Sequence, residues 1–229
     1  MKRTLFVAFL LLSFSSFAGT VGQAAQRLES EWANIYYNST ISNKKASYTT
    51  LLNEAITLSK KHPDRAEFVF WQAVIEATKA EHQDALNALI AINHARDLLI
   101  KAIAMNPKTM QGSAFVTLGT LYYLSPGWPI AFGDTNKAEH YLKIGLKINP
   151  KGIDSNYYYG DFLLKQNKPD KALPYFKQAI YAPVREEQRY ADNKLKAEAK
   201  QALDKLTKRY LSQKNLIASY ASTSQTLSQ

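Results

Sequence analysis

The sequence predicts an all-α protein made of stacked helix pairs, and three observations carry that prediction. From Gln23 onward the apolar residues recur at intervals of three and four, the period of a helix that buries one face. Gly and Pro fall mainly between these stretches as punctuation, and no stretch reads convincingly as a strand. Three segments share one internal spacing, the mark of a repeat architecture.

Lys2 and Arg3 precede an apolar run from Leu5 to Leu12, which ends in small residues around Ser16 and Ala18. This is the pattern of a signal peptide over 1–18, with Gly22-Gln23-Ala24 as a second possible cleavage site. The run is shorter than the roughly 20 residues that cross a bilayer, and no later segment reaches that length, so no membrane insertion is expected. The chain holds no cysteine, which excludes disulfides, thiolate chemistry and a lipid-bearing cysteine. The expected product is a soluble protein of the periplasm, of about 210 residues, enough for one domain with a continuous core.

Helices are predicted over 21–38, 46–61, 64–81, 83–105, 112–124, 135–148, 153–166, 169–181 and 187–211, giving one helical-repeat domain over 21–211. From 212 to 229 the composition turns to Ser, Thr and Gln, which predicts a flexible polar tail. The best repeat runs from Ile153 to Pro183. Tyr159 and Gly160 occupy its positions seven and eight, Leu163 eleven, Ala172 twenty, Phe176 twenty-four and Ala179 twenty-seven, which is the spacing of a tetratricopeptide repeat. Small residues at eight and twenty let two antiparallel helices approach closely, and large residues at eleven and twenty-four fill the space beside that contact. Pro169 starts the second helix, where its missing amide does no harm.

Ala138, Leu142 and Gly145 repeat the second-helix signature 34 residues earlier, with Leu118, Gly119 and Tyr122 on the first helix. Gly119 lies nineteen residues before Ala138, where Gly160 lies twelve before Ala172, so seven extra residues enter the turn within Ser125–Asp134. Ala95, Leu99 and Ala102 give the signature once more, after Phe70, Trp71 and Ala73. A fainter unit surrounds Leu51, Ala55, Leu58 and Pro63, and a Lys-rich last helix caps the array. The predicted architecture is therefore a tetratricopeptide-like helical-repeat superhelix with a long aromatic inter-helix loop.

Taken together, Pro126-Gly-Trp-Pro129, Phe132-Gly-Asp134, Asn149-Pro-Lys-Gly-Ile-Asp154 and Tyr158-Tyr-Gly-Asp-Phe-Leu-Leu164 resemble the periplasmic T-component of TRAP-type transporters, over about Phe68 to Lys208. The resemblance implies a superhelix that associates with the TRAP-type solute-binding protein, assembles as a trimer, and offers a cleft or pore to apolar organic acids. The chain departs from the family in lacking the lipid-attachment cysteine common among such components.

The formal net charge of +10 falls to +8 without Lys2 and Arg3, and the basic residues are dispersed along the helices. Without a clustered basic face no nucleic-acid partner is expected, only a mild bias toward anionic partners. His62, His82, His94 and His140 stand too far apart to share a helical face as a metal pair. No phosphate loop or nucleophile elbow occurs, so neither metal, cofactor nor catalysis is expected.

The candidate binding residues lie in two places. The loop supplies Pro126, Trp128, Pro129, Phe132 and Asp134: its bulky apolar side chains either line a pocket or partner surface, or fold back to plug the core while Asp134 caps the next helix. The helix after it supplies Tyr157, Tyr158 and Asp161, since successive side chains in the Tyr157–Tyr159 run point about 100° apart and cannot all be core. Tyr159 belongs to repeat packing, as Phe70 and Trp71 belong to the core. The predicted function is non-catalytic binding of a solute-binding subunit, of a small apolar or anionic solute, or of both, on the concave face. The alternative is an envelope adaptor that binds protein alone, whose cleft would be filled by side chains.

Overall fold

Each predicted helix is present in the computed structural model, which describes residues 12–226, with side chains over 21–212 except Glu187. In order they are α1 (Leu12–Tyr37), α2 (Lys44–Lys61), α3 (Ala66–Ala80), α4 (Ala85–Met105), α5 (Ser113–Leu124), α6 (Thr135–Ile148), α7 (Ile153–Lys165), α8 (Pro169–Tyr181) and α9 (Arg189–Thr226). The described residues contain no strand, and the fold is an all-α helical repeat.

Two boundaries differ from the sequence reading by more than two residues. α1 starts at Leu12, so residues 12–18 of the expected signal peptide are helical, while residues 1–11 lie outside the described residues. α9 runs past Leu211 to Thr226, which makes residues 212–226, read as a loose tail, part of a helix. The composition there is polar, yet no Gly or Pro follows Pro183, and nothing in the backbone interrupts the helix once it is started.

The pairs α3/α4, α5/α6 and α7/α8 form the stack, each also touching the next. In the last pair Gly160 meets the ring of Phe176 so closely that a Cβ would sit 3.0 Å from Cε1. In the pair before it a Cβ on Gly119 would fall 2.7 Å from Leu142 Cγ and 3.0 Å from the Ala138 carbonyl oxygen. The two sites are equivalent: position eight of one helix against position twenty-four of its partner. Ala138, Leu142, Ala172, Phe176 and Ala179 are all fully buried there. One continuous core, from Val21 on α1 to Leu206 on α9, runs through all of it.

Local signals fix where helices begin. Asn43, Asp84 and Asp134 accept backbone amides at the starts of α2, α4 and α6, and Pro169 occupies the first turn of α8. α1 touches α2 and α3 at the head of the stack and also α9 at its tail, so it links the first and last members.

Replacing Gly119 by Ala is expected to cost about 1–3 kcal/mol, because two of the atoms its methyl meets are backbone and cannot yield. Urea unfolding followed by circular dichroism checks this. An unchanged midpoint would mean that α5 and α6 do not approach so closely.

Candidate functional site: an aromatic groove

Trp32 and Tyr36 stand four residues apart on α1 and so share a face, with Tyr37 beside them. That face looks onto the first helices of the repeats. α3 contributes Phe70, Trp71, Val74 and Thr78, α5 contributes Val116, Thr120 and Leu121, and α7 contributes Tyr158. Between them lies an open groove with a cavity of about 240 Å³. First helices line it because the pairing residues at positions eight and twenty turn the opposite sides of those helices toward the neighbouring hairpin.

The aromatic rings are mutually braced. Trp32 stacks on Tyr36 with centroids 5.2 Å apart and planes 15° apart, and lies 5.8 Å from Trp71, which in turn meets Phe70 edge-on at 5.3 Å. The Trp32 indole donates to Thr78 Oγ1 at 3.2 Å, whereas the buried Trp71 indole N–H has no acceptor. Met110 reaches the groove from the joint between α4 and α5. There Met110 (φ 47°), Gln111 (φ 55°) and Gly112 (φ 88°) are all left-handed, a conformation that non-Gly residues adopt only where the surroundings hold them.

One end of the groove is ionic. The Arg185 guanidinium donates to Asp192 through Nη2 at 2.6 Å and Nε at 3.1 Å, and the Arg185 amide donates to the same carboxylate at 2.9 Å. Ser113 donates to Asp154, and the Gln188 amide donates to Glu29 across 159 residues of chain.

Adjoining the groove is a cluster of tyrosines around two carboxylates. Tyr123 Oη donates to Asp161 Oδ2 at 2.7 Å, and Tyr157 stands close enough to Glu198 for each to act on the other's protonation. Burial pushes Tyr36 up to about 12 and moves Tyr37, Tyr123, Tyr157 and Tyr158 further upward, with nearby carboxylates adding to the effect on the first four and neighbouring tyrosines on Tyr158. All five are neutral phenols at physiological pH. Burial likewise raises the Glu198 carboxyl, against the opposing pull of the Tyr157 hydroxyl, and the charge of Asp161 raises it further.

Of the residues singled out from sequence, Tyr158 lines the groove. Tyr157 packs edge-on against Tyr158 at 5.0 Å and against Phe176 at 6.0 Å, and Asp161 accepts from Tyr123. The loop stands elsewhere, and none of its residues lines the groove. It closes on itself through Gly133, whose amide donates to the Pro126 carbonyl at 2.8 Å, and its Asp134 amide donates to Tyr122. Phe132 packs edge-on against Tyr122 at 5.3 Å, under the Arg96 guanidinium at 4.7 Å. Asp134 accepts the amides of Asn136 and Lys137 and caps α6. Pro126 and Pro129 are exposed, and Trp128 is 89% exposed.

Sequence reasoning did not single out Trp32, Tyr36, Tyr37, Glu29, Arg185 or Asp192. The four-residue spacing of Trp32 and Tyr36 was the available signal for an aromatic face. Phe70 and Trp71, read as core, are indeed buried, and the same rings form the groove wall. Among the described residues no group of three His, Cys, Asp or Glu is arranged to hold a metal, and no helix is long and apolar enough to cross a membrane.

A family model of the tetratricopeptide repeat matches residues 130–186, spanning α6, α7 and α8. The chain contains a tetratricopeptide repeat. Comparison with curated proteins finds no match. Tetratricopeptide domains generally mediate protein–protein interaction, and their repeats generally serve as scaffolds.

Trp128→Ala is expected to change stability by less than about 0.5 kcal/mol, since the ring touches little, while Phe132→Ala costs about 2–4 kcal/mol through lost packing on Tyr122 and Arg96. Thermal unfolding of both variants checks the contrast; a larger loss for Trp128→Ala would mean that its ring is held against the protein. Glu198 supplies a pH test. Its folded-state pKa lies above the ordinary value of 4.5, so its contribution to stability is full below that value and is lost as pH rises through the raised pKa. Glu198→Gln is therefore expected to flatten the stability profile above pH 4.5 and to exceed the parent near neutrality. Parallel profiles in urea would contradict a raised carboxyl.

Proposed function

We propose that the protein is a non-catalytic periplasmic binding protein, an accessory component of a TRAP-type uptake system, which engages the solute-binding subunit and receives a small apolar solute in the groove between α1 and the first helices. The observation that carries this reading is the groove itself: a braced wall of Trp32, Tyr36, Phe70, Trp71 and Tyr158 around about 240 Å³ of open space. Stacked repeats bury their hydrophobic faces against one another, so an aromatic face left open is surplus to folding. The volume lies just below the roughly 300–1,000 Å³ typical of drug-sized ligands and fits a smaller molecule.

Sequence features add the rest of the reading. The segment over 1–18 supports export, and the Pro126–Asp134 loop followed by Tyr158–Leu164 supports association with a TRAP-type partner. A protein-only adaptor would carry a cleft filled by its own side chains, and the open groove speaks against it. Catalysis would need convergent groups with nucleophile and base in reach, and the ionisable groups here are engaged with one another instead.

Native mass spectrometry of the full chain purified from periplasm, recorded gently and again after collisional release, tests the reading. A small retained mass that is diminished in Trp32→Ala is expected, since Trp32 forms groove wall without being fully buried. A ligand-free protein with a stoichiometric protein partner would favour the adaptor instead.

A further inference from the structure

The groove's charge runs against that of the molecule. The chain is basic, with a formal net charge of +10, yet the acidic and basic side chains lining the groove among the described residues are Glu29, Glu81, Asp154 and Asp192 against Arg185. Among the described residues no lysine or histidine lines it. Arg185 is taken up by both oxygens of Asp192. Glu81 stands at the aromatic end, close enough to Tyr36 for its charge to act on that phenol, and makes no ion pair among the described residues.

These carboxylates share the groove with electron-rich rings, and Glu81 is the one nearest Tyr36. Trp32 and Tyr36 are stacked, Trp71 is tilted against Trp32, and the three line the same groove as Glu81. Ring faces carry negative quadrupole potential and attract ammonium groups, most of all where water is reduced. A carboxylate solute would instead bring its charge among four others in a partly dry space, with no free donor cation to meet it. Chemistry of this kind selects by sign of charge as well as by apolar area.

We propose that the groove takes a small organic cation, an alkyl- or aralkylammonium solute, with its apolar body against Trp32, Trp71 and Tyr36 and its ammonium toward the lining carboxylates. The inference rests on reading the groove as a small-ligand site, and it replaces the organic acid that the family resemblance implies.

Choline, 3,3-dimethylbutan-1-ol and 3,3-dimethylbutanoate share a branched head and carry positive, zero and negative charge. Each is titrated against the full chain by tryptophan fluorescence, with saturation-transfer NMR as a second readout. Choline is expected to bind about tenfold more tightly than the alcohol, with the carboxylate weakest, as for a desolvated cation on ring faces beside carboxylates. Glu81→Gln, at an exposed position whose replacement leaves the fold intact, is expected to weaken choline several-fold and leave the alcohol unchanged. Equal affinities, or a preference for the carboxylate, would overturn the cation while leaving the groove as a solute site. Binding of none of the three, with an unperturbed circular dichroism spectrum, would overturn the small-ligand reading along with it.

Discussion

Close contact at a small residue is the constraint on which the rest of this structure depends. Gly119 against Leu142 and Gly160 against Phe176 are the same contact made twice, one repeat apart. Each allows two helices to approach nearer than side chains at that position would permit, and each fixes which side of a helix faces its partner. Once those sides are spoken for, the remaining faces of α3, α5 and α7 are determined. They meet neighbouring hairpins on their flanks and the groove in front. Moving one small residue by a single position would turn the groove wall by about 100° as surely as it would disrupt the pair.

The groove is also a product of α1. Repeats alone would present a curved aromatic surface; α1 lays Trp32, Tyr36 and Tyr37 across it and turns the surface into a groove. Its polar end is built from parts far apart in sequence: Glu29 on α1, Ser113 and Asp154 on successive first helices, and Arg185 with Asp192 at the start of the last. Aromatic and ionic regions are thus assembled by different means, the first by helical periodicity and the second by the meeting of chain segments.

That difference explains how much of the molecule was legible in the sequence. Helix positions were, because the small and large residues of each pair recur at fixed spacing and Gly and Pro mark the breaks; α6 and α8 begin and end at the predicted residues. The family match over 130–186 falls on the segment where that spacing is most regular. The end of α9 was not, since a polar composition lowers the drive to bury a face without supplying a stop. The groove was legible only in part. Tyr158 could be drawn from a run of three tyrosines that cannot all point inward, but Trp32 and Arg185 matter through partners on other elements, and no spacing within one helix announces them. The aromatic loop drew attention because bulky side chains in a loop demand an explanation. Phe132 has one in Tyr122 and Arg96, and Asp134 has one in the cap of α6.

The bond from Gln188 to Glu29 joins residues 159 apart and ties the helix that begins the array to the turn that leads into its last helix. Ordinary repeat arrays behave as ladders, in which a rung can loosen at either end without the others noticing. Here the two ends are bonded to one another, so loosening of the first helix removes a contact of the turn before the last helix as well.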